Sequence, residues 1–71
     1  MTFKEFMYMY SNWNGTTTVN DNNLNPIVTD RTFDIMECVP RLNGVENYDV
    51  LFNMKVVSFT FYDGELCVRV K

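Results

Sequence analysis

An Asp-Gly dipeptide, Asp63 followed by Gly64, separates two runs of alternating apolar and polar residues, and it constrains the fold more than any other feature. Both residues of a two-residue type I′ turn need positive φ, a conformation that Asp-Gly adopts readily. We therefore predict a β-hairpin over residues 55–71. The turn sets Tyr62 opposite Glu65, and the remaining pairs follow outward along both strands.

The register that follows from this turn separates the two faces of the hairpin. The pairs predicted for the apolar face are Phe61 with Leu66, Phe59 with Val68 and Val57 with Val70. The pairs predicted for the mostly polar face are Thr60 with Cys67, Ser58 with Arg69 and Val56 with Lys71. A shift by one residue would mix the two faces, so the turn and the pattern support each other. Because an isolated hairpin is only marginally stable in water, another element must cover its apolar face.

The length of 71 residues and the hydrophobic fraction of 46% predict a single globular domain over residues 1–71. A domain this small buries only about 60% of its unfolded surface, and disulfides, metals or oligomerisation commonly supply the missing stability. The two cysteines, Cys38 and Cys67, form no Cys-x-x-Cys motif, and the chain has no histidine. We therefore expect reduced cysteines, no metal and no cofactor. Oligomerisation is the expected source of stability, with a dimer favoured.

The net charge of −3 and the order of the residues argue against several classes of function. The six Lys and Arg residues are scattered along the chain, whereas electrostatic binding of nucleic acid needs them clustered. The N-terminus lacks the basic segment and apolar run of a signal peptide, and no stretch approaches the ~18 apolar residues of a membrane span. We therefore expect a cytoplasmic protein that binds neither nucleic acid nor membrane.

The N-terminal residues predict an amphipathic helix over residues 2–10. Thr2 and Glu5 have the spacing of a capping box, in which each side chain bonds the backbone N–H of the other. One apolar stripe follows the i, i+3, i+4, i+7 spacing of a helix face. Its members are Phe3, Phe6, Met7 and Tyr10. This stripe is the natural cover for the hairpin, and residues 11–15 are predicted to end the helix.

The middle of the chain predicts a second hairpin and one or two short helices. Residues 16–20 and 24–28 are typical of strands joined by a polar turn, and Pro26 restricts the second strand to a sheet edge. Residues 29–38 alternate like a strand and also show helical spacing, and we favour a helix. Residues 46–53 predict one or two further helical turns. Together these elements predict an α+β fold: a small antiparallel sheet of about four strands in two hairpins, covered by the N-terminal amphipathic helix.

Two groups of residues are candidates for an interaction surface. If residues 29–38 are helical, three carboxylates align in an acidic column, which is either a solvated helix face or a strip that meets a basic groove on a partner. The column comprises Asp30, Asp34 and Glu37, and Glu46 and Asp49 would extend it. The chain also has more large aromatic residues than so small a core readily absorbs, which indicates an interface unless they complete the core. These residues are Tyr8, Tyr10, Trp13, Tyr48 and Phe52. Trp13 is either a rim residue that closes the core or a contact anchor, and Tyr8 lies off the helix stripe.

The two ends of the chain resemble small uncharacterised proteins encoded by phages and prophages of Firmicutes. The similar segments are TFKEFMYMY and LFNMKVVSFTFYDGELCVRV. In that family a Leu/Phe-containing turn leads into a Val-Val-Ser-aromatic strand, an acidic turn and a Leu-x-Val-x-Val strand. The corresponding positions here are Leu51, Val56, Val57, Ser58, Phe59, Asp63, Leu66, Val68 and Val70. The motif is structural and carries no catalytic residue, and residues 26–45 match nothing in the family.

The resemblance implies a protein that acts in phage–host conflict, as anti-CRISPR proteins do. Such a protein would inhibit a host CRISPR or other defence nuclease by stoichiometric occlusion, for which about 800 Å² per partner suffices. One alternative is a homo-oligomeric structural or regulatory phage protein without a defence target. Another is a minimal carboxylate-dependent enzyme, such as a nuclease, that uses Asp30, Asp34 or Glu37. Because Cys67 lacks a histidine base and a chain of this length leaves little room for a deep pocket, we expect no catalytic residue.

Overall fold

The structure is a computed structural model that describes residues 1–10 and 13–71. Its helices are α1 (Phe3–Met9), α2 (Thr32–Met36) and α3 (Tyr48–Asn53). Its strands are β1 (Thr16–Asn20), β2 (Pro26–Arg31), β3 (Val56–Tyr62) and β4 (Glu65–Val70). The predicted α+β fold is confirmed, with one four-stranded sheet, an N-terminal helix and short helices inserted before the last hairpin.

The strands follow one another across the sheet in the order β2, β1, β4, β3. The two predicted hairpins, β1 with β2 and β3 with β4, are antiparallel. The hairpins meet through β1 and β4, which run parallel to each other at the centre of the sheet. The sheet is therefore mixed, and the prediction that it is antiparallel throughout is wrong at this one contact between the two hairpins. Strands β2 and β3 are its edges. Pro26 begins β2, which agrees with the predicted edge position because proline has no N–H for a central ladder.

The C-terminal hairpin has the predicted turn, with positive φ at both turn residues. The predicted pairs that are confirmed are Tyr62–Glu65, Phe61–Leu66, Thr60–Cys67, Phe59–Val68 and Ser58–Arg69. The two pairs predicted at the open end are wrong, because a β-bulge at Val57 sets Val56 opposite Val70. Lys71 is consequently bonded to Lys55, with reciprocal backbone hydrogen bonds of 2.8 and 2.9 Å.

Helix α1 begins at the predicted capping box. The Glu5 backbone N–H donates to Thr2 Oγ1 at 3.1 Å, and the Thr2 N–H donates to Glu5 Oε1 at 2.8 Å. Of the predicted stripe, Phe3 and Met7 are fully buried, and the other two members are partly buried against the core. The helix ends at Met9. The predicted terminating segment 11–15 falls partly on residues 11 and 12, which lie outside the described residues.

The helix predicted over residues 29–38 is limited to the five residues of α2. Thr29, Asp30 and Arg31 belong to β2 and pair with β1. Pairing with a neighbouring strand overrides the local helical spacing, because strand formation is decided by tertiary context. The last predicted helix is confirmed as α3, which begins after Asn47, whose side chain accepts a hydrogen bond from the Val50 N–H at 3.0 Å.

The core lies between the helices and one face of the sheet. Its buried apolar residues are Phe3, Met7, Val19, Ile27, Val28, Ile35, Leu51, Leu66, Val68 and Val70. Two buried hydroxyls join β1 to the start of α2, since Thr17 Oγ1 lies 2.6 Å from Thr32 Oγ1. The Thr32 hydroxyl also donates to the Gly15 carbonyl at 3.1 Å. Gly15 must lack a side chain, because a Cβ there would lie 2.0 Å from the Gly64 carbonyl oxygen.

Candidate functional site

Tyr8, Trp13 and Phe33 form an exposed cluster of aromatic rings beside α1 and α2. The ring centroids of Trp13 lie 5.6 Å from Tyr8 and 5.8 Å from Phe33, both in edge-to-face geometry. The Trp13 Nε1–H donates to the Met7 carbonyl oxygen at 3.0 Å, which fixes the indole in place. Tyr8 is 65% exposed and Phe33 is 51% exposed. Ordered aromatic surface that is open to solvent is typical of the anchors of protein interfaces.

Acidic side chains border this cluster. Asp34 in α2 and Glu37 at its C-cap line the same shallow depression as Trp13 and Phe33. Arg31 Nε lies 3.3 Å from Asp34 Oδ2, in an exposed pair of the kind that contributes at most about 1 kcal/mol. Among residues 1–10 and 13–71 this is the only ion pair, so Glu37 has no basic partner there. We call Tyr8, Trp13, Phe33, Asp34 and Glu37 the acidic–aromatic surface.

The chemistry of this surface favours a partner that is both basic and apolar. Aromatic ring faces attract Arg and Lys through cation–π interactions, and carboxylates pair with the same cations. The rings also provide apolar area that a neutral side chain can cover. A protein segment with Arg or Lys among apolar residues therefore complements both components of the surface.

Two of the predicted candidates, Tyr48 and Phe52, lie elsewhere and complete the core. The Phe52 ring centroid lies 6.2 Å from that of Phe3 and 5.6 Å from that of Tyr48. The Tyr48 hydroxyl donates to the Pro40 carbonyl oxygen. Burial is the main cause that raises the pKa of Tyr48 above its ordinary value. These two residues stabilise the packing of α3 and present little surface to a partner.

The predicted acidic column does not form. Asp30 lies in β2, where its Oδ1 accepts a hydrogen bond from the Arg31 N–H at 2.7 Å. Asp49 lies on α3 and lines a different depression, with Val50 and Lys71. Only Asp34 and Glu37 remain together, because only they lie on the short helix α2 or at its end.

A second exposed apolar surface, absent from the predicted candidates apart from Tyr10, lies between α1 and β3. The ring centroids of Phe6 and Phe59 are 4.8 Å apart, and those of Tyr10 and Phe61 are 6.0 Å apart. Phe59 and Phe61 nevertheless remain 55% and 49% exposed. We call Met1, Phe6, Met9, Tyr10, Phe59 and Phe61 the β3 surface. Local sequence patterns do not predict this surface, because they do not determine the strand order that puts β3 at an edge of the sheet.

The two cysteines are free thiols in different environments. Cys38 is exposed just after α2, and Cys67 is half-buried on the polar face of the sheet, with its Sγ 3.6 Å from Asn20 Nδ2. In the described part of the chain, no group of three or more His, Cys, Asp or Glu residues is placed to hold a metal ion.

Comparison of the chain with protein-family models, with curated protein sequences and with solved structures finds no match. None of the described helices is long and apolar enough to cross a membrane.

Proposed function

We propose that this chain is a small, non-enzymatic binding protein of phage or prophage origin that inhibits a host defence factor by stoichiometric occlusion. The observation that carries the proposal is the acidic–aromatic surface, where fixed, exposed rings are bordered by carboxylates. Nucleases that act in defence hold nucleic acid through Lys and Arg side chains. A negative surface with aromatic anchors is complementary to such a groove. The resemblance of the chain ends to phage proteins supports the origin and the bacterial cytoplasm as the place of action.

In this proposal the chain acts by covering a basic groove on its target. Tyr8 and Phe33 supply the apolar anchors, and Glu37 pairs with a cation of the target. Trp13 needs no rearrangement because its indole is already held by the Met7 carbonyl. An interface of about 800 Å² per partner would use roughly one sixth of the 4664 Å² surface of this chain. A rigid domain of this size can therefore block a groove without changing its own fold.

Homo-oligomerisation is a second candidate, and the β3 surface favours it. This surface is apolar, is largely exposed at Met1, Met9, Phe59 and Phe61, and shares no residue with the acidic–aromatic surface. Self-association through it would leave the acidic–aromatic surface free for a target, so the two functions are compatible.

Phage plating tests the proposal directly. The chain is expressed in bacteria that carry a CRISPR or other nuclease-based defence system, and plaquing of a targeted phage is counted. We expect the native chain to restore plaquing and Tyr8→Ala/Glu37→Lys to lose this effect. Loss of one aromatic anchor costs about 2 kcal/mol, which is roughly a 30-fold weaker complex.

The matched control is Val50→Ala/Glu46→Lys, which makes the same change of charge. Val50 is an exposed apolar side chain that lines a different depression, and Glu46 is exposed in the loop before α3, outside the residues that line the depression at the acidic–aromatic surface. The control should restore plaquing as the native chain does. If both variants are equally active, or if the native chain protects phage against none of the defence systems tested, the proposal is wrong.

A further inference from the structure

Strand β3 leaves one side of its backbone unpaired along most of its length. The two-residue turn makes Tyr62 and Glu65 a hydrogen-bonded pair, and such pairs alternate along an antiparallel ladder. Ser58 and Thr60 therefore direct their N–H and C=O groups to β4. Phe59 and Phe61 direct theirs away from the sheet.

The chain itself covers only the start of this edge. The Val56 N–H donates to the Met1 carbonyl oxygen at 2.9 Å, and Thr2 forms an isolated antiparallel bridge with Lys55. Beyond the bulge at Val57, nothing among the described residues pairs with the outer side of the strand. Natural edge strands are usually protected by charged residues or proline, yet residues 56–62 contain neither.

We infer that the partner of this edge is a second copy of the same chain, with two β3 strands paired antiparallel about a two-fold axis at Thr60. This register sets Phe59 of one copy opposite Phe61 of the other, so all their outward N–H and C=O groups form hydrogen bonds across the axis. The same register places Thr60 opposite Thr60 of the other copy, and Ser58 opposite Tyr62 of the other copy. Aromatic pairs and Thr–Thr pairs are among the favourable cross-strand neighbours. The paired length ends at the bulge, where Met1 already occupies the edge.

The exposed apolar area agrees with a dimer of ordinary size. The exposed fractions along this edge are 55% for Met1, 72% for Met9, 55% for Phe59, 49% for Phe61 and 81% for Tyr62. Together these side chains expose on the order of 600 Å², close to the ~800 Å² that each partner buries in a standard interface. Tyr62 lies on the opposite face of the sheet from Phe59 and Phe61, so the apolar patch consists of the other four side chains and lies within the ~300–600 Å² of the largest patch on a typical monomer. Here the patch borders an open strand edge.

The register can be tested with charges at its axis. Thr60 is exposed on the polar face, so Thr60→Lys and Thr60→Glu should both fold, which thermal unfolding checks. In the dimer each substitution places two like charges directly opposite each other, and we expect the dimer dissociation constant to rise roughly tenfold or more. An equimolar mixture of the two variants should dimerise again, because opposite charges then meet at the axis. Sedimentation velocity over a range of concentrations measures both effects.

Thr29→Lys is the matched control at the opposite edge. One row of neighbouring residues crosses the sheet through Thr29, Thr18, Cys67 and Thr60. The control therefore makes the same substitution at the other end of that row. The control should dimerise like the native chain. A native chain that stays monomeric overturns the inference, as does a dimer that resists Thr60→Lys or that is not restored in the mixture.

Hydrogen exchange of the native chain gives a readout that needs no variant. The amides of Ser58 and Thr60 should be protected at every concentration, because they bond to β4. The amides of Phe59 and Phe61 should become protected only as the dimer forms. Equal, concentration-independent exchange at Phe59 and Phe61 would contradict the proposed pairing.

Discussion

The buried hydroxyl pair of Thr17 and Thr32 gives a sharp prediction about stability. Both side chains are almost fully buried, and their oxygens lie 2.6 Å apart. The Thr32 hydroxyl has one proton, which it donates to the Gly15 carbonyl. Thr17 must therefore donate its own proton to Thr32. The two residues thus have unequal roles, although they have the same side chain and nearly the same burial.

The magnitudes follow from what each valine substitution leaves behind. Thr17→Val removes one hydrogen bond and leaves no buried donor without an acceptor. We therefore expect a loss of about 1 kcal/mol in the free energy of unfolding. Thr32→Val removes the bond to Gly15 and leaves the Thr17 hydroxyl buried without an acceptor, which raises the loss to about 2.5 kcal/mol. The Gly15 carbonyl stays bonded to the Thr32 backbone N–H at 3.0 Å.

The double variant separates this reasoning from simple loss of packing. Thr17→Val/Thr32→Val leaves no buried hydroxyl without an acceptor, so the expected loss in the free energy of unfolding is about 2 kcal/mol. This is roughly 1.5 kcal/mol less than the sum of the losses of the two single variants. Urea unfolding followed by circular dichroism measures all three values. Thr29→Val is the control, because its hydroxyl bonds Thr18 at an exposed site and its loss should stay near 0.5 kcal/mol. Equal single losses that add without coupling would refute the assignment of the donors.

Two further predictions concern other parts of the fold. Gly15→Ala should lower the free energy of unfolding by about 3 kcal/mol, the upper end for overpacking, because its Cβ would overlap the backbone carbonyl of Gly64. Gly44→Ala meets no atom and should cost only about 1 kcal/mol for its positive φ. Chemical denaturation compares them, and a Gly15 loss no larger than the Gly44 loss would exclude the steric argument. Because folding raises the pKa of Tyr48, the neutral phenol stabilises the fold below the unfolded pKa of about 10, and this contribution is lost as pH rises toward the folded value. Thermal melts should thus show an alkaline decline that is shallower in Tyr48→Phe, and an identical decline in both proteins would show that Tyr48 is not its cause.

The parts of the fold that the sequence predicts are those decided by neighbours in the chain. The Asp-Gly turn fixes the register of β3 and β4 as far as Ser58, and the capping box fixes the start of α1. The bulge at Val57 escaped prediction because it depends on the Lys55–Lys71 bonds and on the N-terminal residues that pair beside it. The parallel contact of β1 with β4 joins distant segments, and no local pattern encodes it.

Only part of the candidate site could be predicted, because the site joins residues that are distant in the chain. The excess of aromatic residues is visible in composition, but only the fold divides the rings into separate groups. Tyr8 and Trp13 join Phe33 at the acidic–aromatic surface, whereas Phe52 packs against both Phe3 and Tyr48. Phe33 was not a predicted candidate, because its alternation within residues 29–38 suited a strand as well as a helix.

The most direct test of the proposed function is a quantitative pull-down with a matched variant. Three tagged proteins are compared: the native chain, Tyr8→Ala/Glu37→Lys and the control Val50→Ala/Glu46→Lys. Each is incubated with lysates of bacteria that carry or lack CRISPR and other nuclease-based defence systems, and the eluted proteins are quantified by mass spectrometry. We expect one defence protein to be recovered in a fixed molar ratio with the native chain and the control, and to be depleted roughly 30-fold with the Tyr8/Glu37 variant. Recovery of the folded chain alone from every lysate, or equal recovery of the same protein by all three, would contradict the account.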